Sequence, residues 1–451
     1  MKKFALTAAA AILAAIITAY AAPQKSADAA LARNLTTFNA IVKELQDNYV
    51  DSIAPDRAFD AAIDALLATI DPYTEYYPAE EQDALQKMTT GEYGGIGSYL
   101  MDRDSSTDIS APMENSPAAR AGIKAGDRIL KVDSIDVSRK LSADVTKVLR
   151  GRPNTPVTMT LLRPYAEDSI ITVSLVREML QQPSVPYYTV VGNTGYILLT
   201  SFINKSPAEV KAALEEFKGD PRVKNIVLDL RGNGGGLVES AVDILSYFLP
   251  KGTEVVRTRG RDGAAERVYK TTRSPLFPDI PVAVLIDGAT ASASEILAGA
   301  LQDLDRGVLV GSRSFGKGLV QTTRPLPFSG VLKVTVAKYY TPSGRLIQAL
   351  DYAHRNEDGS VSRIPDSLTH EYKTLHGRTI RDGGGLVPDT VIDWGKVNRL
   401  VYNVVRDNWS FDYATRFAAS HPEVAVPEQF VITDSMYADF KKSIDPARFK
   451  Y

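Results

Sequence analysis

The stretch Val282-Ala283-Val284-Leu285-Ile286-Asp287-Gly288-Ala289-Thr290-Ala291-Ser292-Ala293-Ser294-Glu295-Ile296 decides how this chain is interpreted. An apolar run, Val282–Ile286, is followed by small residues and then by an apolar-periodic segment, Ile296–Leu304. That order predicts a strand, a tight turn and a helix. Ser292 would lie at the helix N-terminus, where free N–H groups and the helix dipole favour a developing oxyanion. Ser292 is therefore a candidate nucleophile.

The same serine also has a purely structural interpretation. Ser292 and Glu295 have the S-x-x-E spacing of a capping box, in which the serine only caps the helix. The local sequence leaves both interpretations open.

A lysine downstream is the candidate base. Lys317 follows a second predicted strand, Arg306–Gly311. A hydroxyl needs a base before it can attack an amide, and lysine can serve if its pKa falls from ~10.4 toward ~7–8. Apolar neighbours at positions 315, 319 and 320 favour that fall, and Gln321 is close enough in sequence to hydrogen-bond the amine. Without such surroundings a lysine is an ordinary solvated cation.

Nucleotide binding is disfavoured. The segment Gly311–Lys317 matches the first seven positions of the phosphate-binding loop G-x-x-x-x-G-K-[ST]. Gly318 stands where Ser or Thr would hold magnesium, and Pro325 and Pro327 follow in place of a phosphate-binding helix.

Histidine chemistry is disfavoured as well. All four histidines follow Ser292, in segments that look like an insertion or a tail. None is near a small-residue turn or a carboxylate that would orient it, and Ser292 lacks the G-x-S-x-G elbow. The four are His354, His370, His376 and His421.

A glycine-rich turn supplies candidate oxyanion donors. Asp229-Leu230-Arg231-Gly232-Asn233-Gly234-Gly235-Gly236 lies between the apolar run Ile226–Leu228 and an amphipathic segment, Leu237–Leu249. Such a turn can expose backbone N–H groups that pair with the amide of Ala293 around a carbonyl oxygen. It is not a dinucleotide fingerprint, because Leu237 occupies the last glycine position of G-x-G-x-x-G. A merely structural turn remains an alternative.

Together these motifs resemble the carboxy-terminal processing proteases, the tail-specific serine peptidases with a crotonase-like core. The family's motif is S-A-S-A-S-E-I, and Thr290 stands here in its first serine position. The resemblance implies that Ser292 is the nucleophile, Lys317 the base and Gln321 its partner. It also implies an oxyanion hole from Ala293 and the glycine-rich turn, for which Gly235 is chosen with a register uncertain by one residue.

Further motifs extend the resemblance to roughly residues 35–395. Asp71-Pro72-Tyr73-Thr74 is similar to the family's L-D-P-H-S segment, with Tyr in place of His. The segment Tyr340–Gln348 and the segment Gly383–Asp389 also match family patterns. The polar stretch Asp351–Arg381 between them is expected to be a surface insertion.

The family carries a PDZ domain before its protease core, and residues 88–178 resemble one. Gly94-Gly95-Ile96-Gly97 is similar to its carboxylate-binding loop. Successive N–H groups at Gly95, Ile96 and Gly97 can form a nest for a peptide's terminal carboxylate, while a strand edge adds the peptide as a new strand. Ser116-Pro117 predicts the start of a short helix that ends at Gly122. Without the family, a plain β-rich module is the alternative.

Composition fits an exported, multidomain protein. The chain has 451 residues, 44% of them hydrophobic, a net charge of −2 and no cysteine. It can therefore bury several cores, and it has no nucleic-acid footprint, disulfide or lipid-attachment cysteine. Lys2 and Lys3 precede the apolar run Phe4–Tyr20, and Ala19-Tyr20-Ala21 offers a cleavage site, which predicts a signal peptide. An uncleaved membrane anchor stays open.

The sequence thus predicts an α/β multidomain protein. We expect a signal peptide at 1–21, a helical N-terminal cap at 22–87, the PDZ domain at 88–178, a crotonase-like mixed α/β protease core at 179–395 and a helical tail at 396–451. The tail could pack on the core or on a second subunit of a homo-oligomer.

The predicted function is a serine endopeptidase of the bacterial periplasm or outer face that binds polypeptides by their C-terminus and cleaves them through an acyl-enzyme. No cofactor or metal is expected. Two alternatives stay open on the same fold: a non-catalytic binding protein, like the retinoid-binding repeats that the family resembles, and an adaptor that only displays peptides.

Overall fold

The structure is a computed structural model that describes residues 28–449 except 82–84, 86–87, 167–168, 262–265, 393–394, 396–397, 422, 425–428 and 448. The predicted signal peptide lies outside the described residues. The chain divides into two compact units between Tyr76 and Tyr77. None of the described helices has the length and hydropathy that crossing a membrane requires.

The main α-helices are residues 28–48 (α1), Pro55–Ala68 (α2), Pro117–Arg120 (α3), Ser142–Leu149 (α4), Ser206–Gly219 (α5), Val238–Leu245 (α6), Ala293–Asp303 (α7), Arg399–Arg406 (α8), Trp409–Ser420 (α9) and Asp434–Ser443 (α10).

The strands are Glu75–Tyr77 (β1), Glu92–Gly95 (β2), Ser98–Arg103 (β3), Ser106–Pro112 (β4), Arg128–Val132 (β5), Ile135–Asp136 (β6), Pro156–Leu162 (β7), Ile170–Val176 (β8), Glu178–Gln181 (β9), Tyr187–Val191 (β10), Thr194–Leu198 (β11), Asn225–Asp229 (β12), Glu254–Gly260 (β13), Arg267–Lys270 (β14), Val282–Ile286 (β15), Val308–Gly311 (β16), Leu319–Pro325 (β17), Val331–Tyr340 (β18), Leu350–Arg355 (β19), Val361–Arg363 (β20), Glu371–Lys373 (β21), Thr379–Arg381 (β22) and Thr390–Val391 (β23).

The first unit is helical. Helix α2 begins with Pro55 and Asp56, because proline loses no hydrogen bond in a first turn and an acidic side chain suits the positive end of the helix. Phe38 of α1 and Phe59 of α2 meet edge to face, with ring centroids 6.1 Å apart. Asp71 closes the following turn, since its Oδ1 accepts from the N–H groups of two later residues, Tyr73 and Thr74.

The second unit opens with a β-rich region. Its antiparallel sheet has the order β3-β4-β5-β7-β8, with β6 paired to β5, and its core includes the fully buried Ile109, Ile129 and Met159. Strand β3 lies at the edge of this sheet. The predicted cap of the short helix is present, because Ser116 Oγ accepts from Ala119 N at 3.2 Å.

A two-stranded ribbon connects the β-rich region to the rest of the chain. Strand β2 enters the region and β9 leaves it, and the two pair antiparallel with Glu92 opposite Gln181. The chain therefore enters and leaves at the same place.

The larger layered core follows. Strands β11, β12, β15, β16 and β23 are parallel neighbours in that order, and β10 pairs antiparallel with β11. Strands β17, β18, β13 and β14 belong to a second sheet, in which neighbouring strands run antiparallel. Apolar side chains of α5, α6 and α7 join those of the parallel strands in one buried cluster, as in other α/β layers. The predicted mixed α/β class is confirmed.

The expected insertion consists of two short hairpins, β19–β20 and β21–β22. The tail contains helices α8 to α10, and part of it packs on the β-rich region. Asp412 of α9 forms a 2.5 Å ion pair with Arg103 at the end of β3. A Cβ atom added to Gly126 would lie 2.5 Å from Cγ2 of Thr415, so the Gly126 backbone is close to the Thr415 side chain. The sequence left open packing of the tail on the protease core or on a second subunit, and this contact with the β-rich region is neither of these.

Candidate active site

The Ser292 turn lies between strand β15 and helix α7. Ser292 is the N-cap residue of α7 and has φ +59° and ψ −118°, a conformation that non-glycine residues rarely adopt. Such strain persists only where the surroundings impose it, and it is concentrated at functional sites. Here Ala291 N donates to Asn233 O at 3.0 Å, and Thr290 Oγ1 donates to Leu230 O at 2.8 Å. The turn is therefore fastened to the glycine-rich loop.

Glu295 connects the serine turn to the lysine loop. Its side chain has no exposed surface. Oε2 accepts from Ser292 N and from Lys317 N, both at 2.9 Å, so these nitrogens lie no more than twice that distance apart. Oε1 accepts from Gly316 N at 2.7 Å and from Ser314 Oγ at 2.5 Å. The carboxylate half of the predicted capping box is present, but the same carboxylate also orders the lysine loop.

The electrostatics of this carboxylate are unusual. Burial raises the pKa of Glu295 to about 7, although hydrogen bonds from its four donors oppose the shift. Tyr339 is buried nearby and donates to Ser292 O at 3.3 Å. Burial, supported by the Glu295 charge, raises the pKa of Tyr339 well above its usual value, so its hydroxyl stays protonated.

Lys317 lies in the loop between β16 and β17 and is partly buried. The loop is anchored on both sides: Phe315 N donates to Thr290 O at 3.0 Å, and Gly318 N donates to Gln348 Oε1 at 2.7 Å. The structure thus brings the backbones of the predicted nucleophile and base together. Gln321 is on β17 beside a bulge, and its Nε2 donates to Thr335 Oγ1 at 3.1 Å.

The glycine-rich loop touches the serine turn at Gly235. A Cβ there would lie 2.9 Å from Ser292 Cβ and 2.8 Å from Ala293 N, and φ is +98°. Only glycine fits this approach. The N–H of Gly235 donates to Oδ1 of the fully buried Asn233 at 2.9 Å, so one of the two proposed oxyanion donors has a partner within its own loop.

The Gly95–Gly97 loop borders a groove of about 310 Å³ between β3 and α4, with apolar surface from Ile96, Leu100 and Leu149. The carbonyl groups of the loop have partners, since Ile96 O accepts from Ala118 N and Gly97 O accepts from Met113 N, both at 2.8 Å. Within the described chain, the N–H groups of Ile96 and Gly97 donate to no backbone acceptor.

Three histidines do have carboxylate partners, which corrects the sequence interpretation. His354, His370 and His376 pair with Asp351, Asp382 and Asp305 at 2.8, 3.1 and 3.4 Å. All three histidines are exposed, and Asp305 follows the end of α7 that is opposite Ser292. The partner aspartates of His370 and His376 are 12 and 71 residues away in sequence, so local inspection missed them.

No group of His, Cys, Asp and Glu side chains suited to a metal ion occurs among the residues that the structure describes. Sequence reasoning missed the role of Asn233 and the second role of Glu295. The signal for Glu295 was its S-x-x-E spacing, but its partners Ser314, Gly316 and Lys317 come from a distant segment.

Three family profiles match the chain. Residues 193–352 match peptidase family S41, residues 109–163 match a PDZ domain, and residues 400–451 match a domain described as the probable PDZ-protease C-terminal helical domain.

Individual relatives agree with the profiles. The carboxy-terminal-processing protease of Bartonella bacilliformis is 36% identical over 321 residues, which is 70% of this chain and 73% of that protein. A probable CtpA-like serine protease of Staphylococcus aureus is 36% identical over 318 residues, 70% of this chain and 62% of the staphylococcal protein. The solved structure of the photosystem II D1 C-terminal processing protease is 27% identical, with a TM-score of 0.43, and is matched over 82% of this chain and 90% of that one.

The fold and the matches define a serine peptidase with a PDZ domain and a helical C-terminal domain. The chain belongs to the carboxy-terminal processing proteases of peptidase family S41.

Proposed function

We propose that this protein is an exported endopeptidase that binds polypeptides by their C-terminal end and cleaves them with a serine–lysine pair. Ser292 attacks the scissile carbonyl and forms an acyl-enzyme. Lys317 accepts the hydroxyl proton and returns it to the leaving amine, and water then releases the acyl group.

The observation that carries this proposal is the shared contact at Glu295 Oε2. One buried oxygen accepts from the backbones of both Ser292 and Lys317. A base must come within hydrogen-bond reach of the proton that it removes, and this arrangement holds the two segments side by side. The strained backbone of Ser292 at the first turn of α7 is consistent with a nucleophile placed against free helix N–H groups.

The remaining roles follow from position. Gln321 Nε2 donates to Thr335, which orients the amide, and its Oε1 is the kind of acceptor that the ammonium of Lys317 needs. Ala293 N lies in the first turn of α7 and is one oxyanion donor. Gly235 N is the other, and to act it must share its hydrogen with, or release, Asn233 Oδ1.

The PDZ groove supports recognition of a chain end. Strand β3 is an edge strand, so an extended peptide can pair with it, while α4 forms the opposite wall. The N–H groups of Ile96 and Gly97 are suited to the terminal carboxylate, with Gly95 completing the loop. The proposed location outside the cytoplasmic membrane rests on the apolar, alanine-rich segment Phe4–Tyr20 and its cleavage site.

The test is turnover of an unfolded protein substrate by Ser292→Ala protein. We expect a loss on the order of 10⁴-fold with peptide binding retained, because the hydroxyl forms the acyl-enzyme. His370→Ala is the matched control, since it removes a histidine with a carboxylate partner, and its turnover should be unchanged. Proteolysis by purified Ser292→Ala protein would rule out Ser292 as the nucleophile. Absence of turnover in the wild type, with peptide binding intact, would favour a binding protein or adaptor.

A further inference from the structure

We infer that Glu295 is a positioning residue of the peptidase, whose carboxylate must be ionised to hold the Lys317 loop against the Ser292 turn. This inference rests on the proposed serine–lysine function. It assigns to Glu295 more than the capping of α7, because two of its acceptor contacts involve residues 316 and 317, which lie outside that helix.

Four hydrogen bonds connect the Glu295 carboxylate to the serine turn and the lysine loop. Each carboxylate oxygen accepts two hydrogen bonds: Oε2 from Ser292 N and Lys317 N, and Oε1 from Gly316 N and Ser314 Oγ. The three peptide N–H groups can only donate. A carboxylate accepts at both oxygens, whereas a carboxylic acid must place a proton on one of them. A protonated Glu295 can point its O–H group at Ser314 Oγ, which can also accept, but the neutral acid then accepts from Gly316 N and Lys317 N without the charge that strengthens these hydrogen bonds.

The surroundings of Glu295 bring the free energies of its charged and neutral forms close together near neutral pH. Glu295 is fully buried, and burial raises its pKa to about 7. The buried Tyr339 hydroxyl faces the same turn and keeps its proton, as its own pKa is strongly raised by burial. Arg345 is near Tyr339, but its guanidinium forms an ion pair with Asp303 at 2.7 Å. Lys317 belongs to the loop that Glu295 holds. As the pH falls through about 7, Glu295 takes up a proton and its hydrogen bonds with the Lys317 loop weaken.

Two ionisations should then limit turnover on the acid side. Lys317 must be neutral to act as the base, and Glu295 must be charged to position it. Below both pKa values, the logarithm of kcat should rise with pH at a slope that approaches 2 in the wild type. Glu295→Gln cannot ionise, so its slope should be 1.

Glu295→Gln should also separate kcat from KM. The glutamine amide retains the volume of the side chain but turns an NH₂ group toward two donors. Displacement of the lysine loop by about 1 Å should lower kcat on the order of 10²-fold. KM should change little, because substrate capture by the PDZ groove is untouched. Ser314→Ala is the matched comparison: it removes one neutral donor, so kcat should fall less and the slope of 2 should remain.

A second measurement does not depend on turnover or on the folding of a variant. In full-length Ser292→Ala protein, amide hydrogen exchange at Gly316 and Lys317 is followed from pH 8 to pH 5 and corrected for the intrinsic exchange rate. Protection of both amides should fall below pH about 7, while the amides of β12 stay protected. Constant protection at Gly316 and Lys317 would overturn the inference.

The outcomes separate this inference from the proposed function. If Ser292→Ala is inactive but Glu295→Gln has wild-type kcat and the same acid slope, only the positioning role fails. If Ser292→Ala or Lys317→Arg retains full turnover, the serine–lysine assignment fails first. A Glu295→Gln protein that unfolds leaves the exchange measurement to decide.

Discussion

The protease core and the PDZ domain each contain a glycine-rich loop, and the two loops use their backbone groups differently. In the core, Gly235 N donates to Asn233, and Asn233 O accepts from both Ala291 N and Ser294 Oγ. In the PDZ loop the carbonyls of Ile96 and Gly97 have partners, while their N–H groups donate to no backbone acceptor in the described part of the chain. The core loop is organised before substrate arrives. The PDZ loop is the kind of surface that its ligand completes.

On the proposed function, the two loops have separate tasks that match this difference. A site that stabilises charge at the moment of reaction gains from a loop that is already held in place, although Gly235 N must still share its hydrogen with, or release, Asn233 Oδ1. A site that captures chain ends needs donors and a strand edge that are open to a partner. Variants in one loop should therefore change turnover, and changes to the peptide end should affect capture.

The largest effect should come from Lys317→Arg. Arginine keeps the charge but does not deprotonate, so turnover should fall about 10²- to 10⁴-fold. Binding of a free-ended peptide to the groove should not change. Lys211→Arg is the control, because Lys211 is on the surface of α5 and pairs with Glu215. The measurement is kcat/KM with a protein substrate, alongside calorimetric peptide binding. An active Lys317→Arg protein would show that Lys317 is not the base.

A smaller effect should follow from amidating the substrate's C-terminus. Loss of the carboxylate removes charge-assisted hydrogen bonds worth about 1.5–3 kcal/mol, so kcat/KM should fall roughly 10- to 100-fold. The test uses one peptide with a free or an amidated end, at sub-saturating concentration, with the scissile bond well upstream.

Acetylating the N-terminus of the same peptide is the control for that test, and it should have no effect. Equal rates for the free and amidated ends would show that the groove does not recognise chain ends. The contrast between the two loops would then lose its functional meaning.

The smallest difference should be one of folding stability, between Gly126→Ala and a matched control, at the contact between the PDZ domain and the tail. Gly126 has φ +89°, and its added Cβ would clash with Thr415. Gly122→Ala is the matched control, since φ is +72° and no atom lies within 4 Å of its added Cβ. Both variants should lose about 1–2 kcal/mol to backbone strain. Gly126→Ala should lose roughly 1–3 kcal/mol more from the overlap. Equal losses in chemical denaturation would mean that this contact contributes nothing.

The sequence predicted the local features of the core well. The strand Val282–Ile286 is present as β15, and the helix that follows Ser292 is α7, because small residues at a strand end permit a sharp turn. The family and the mixed α/β class are confirmed. The roles of Ser292, Lys317 and Gln321 stay predictions, as do the domain boundaries and the signal peptide.

What the sequence could not predict depends on contacts between distant segments. Glu295 was interpreted only as a capping residue, because Ser314, Gly316 and Lys317 reach it only in the folded chain. The Asn233 side chain accepts from Gly235 N, which is only two residues away in sequence. The sequence did not predict this contact, because the orientation of the side chain depends on the conformation of the loop. The packing of the tail was also missed, since nothing in the sequence of α9 shows that Asp412 meets Arg103.

The β2–β9 ribbon has an evolutionary consequence. Because Glu92 and Gln181 are register partners, the ends of the PDZ insert are adjacent, and the host fold only needs to close a short gap in its absence. Insertions succeed where the two ends of the inserted module are close together. The PDZ domain can thus be exchanged as a unit at the ribbon while the peptidase core stays the same.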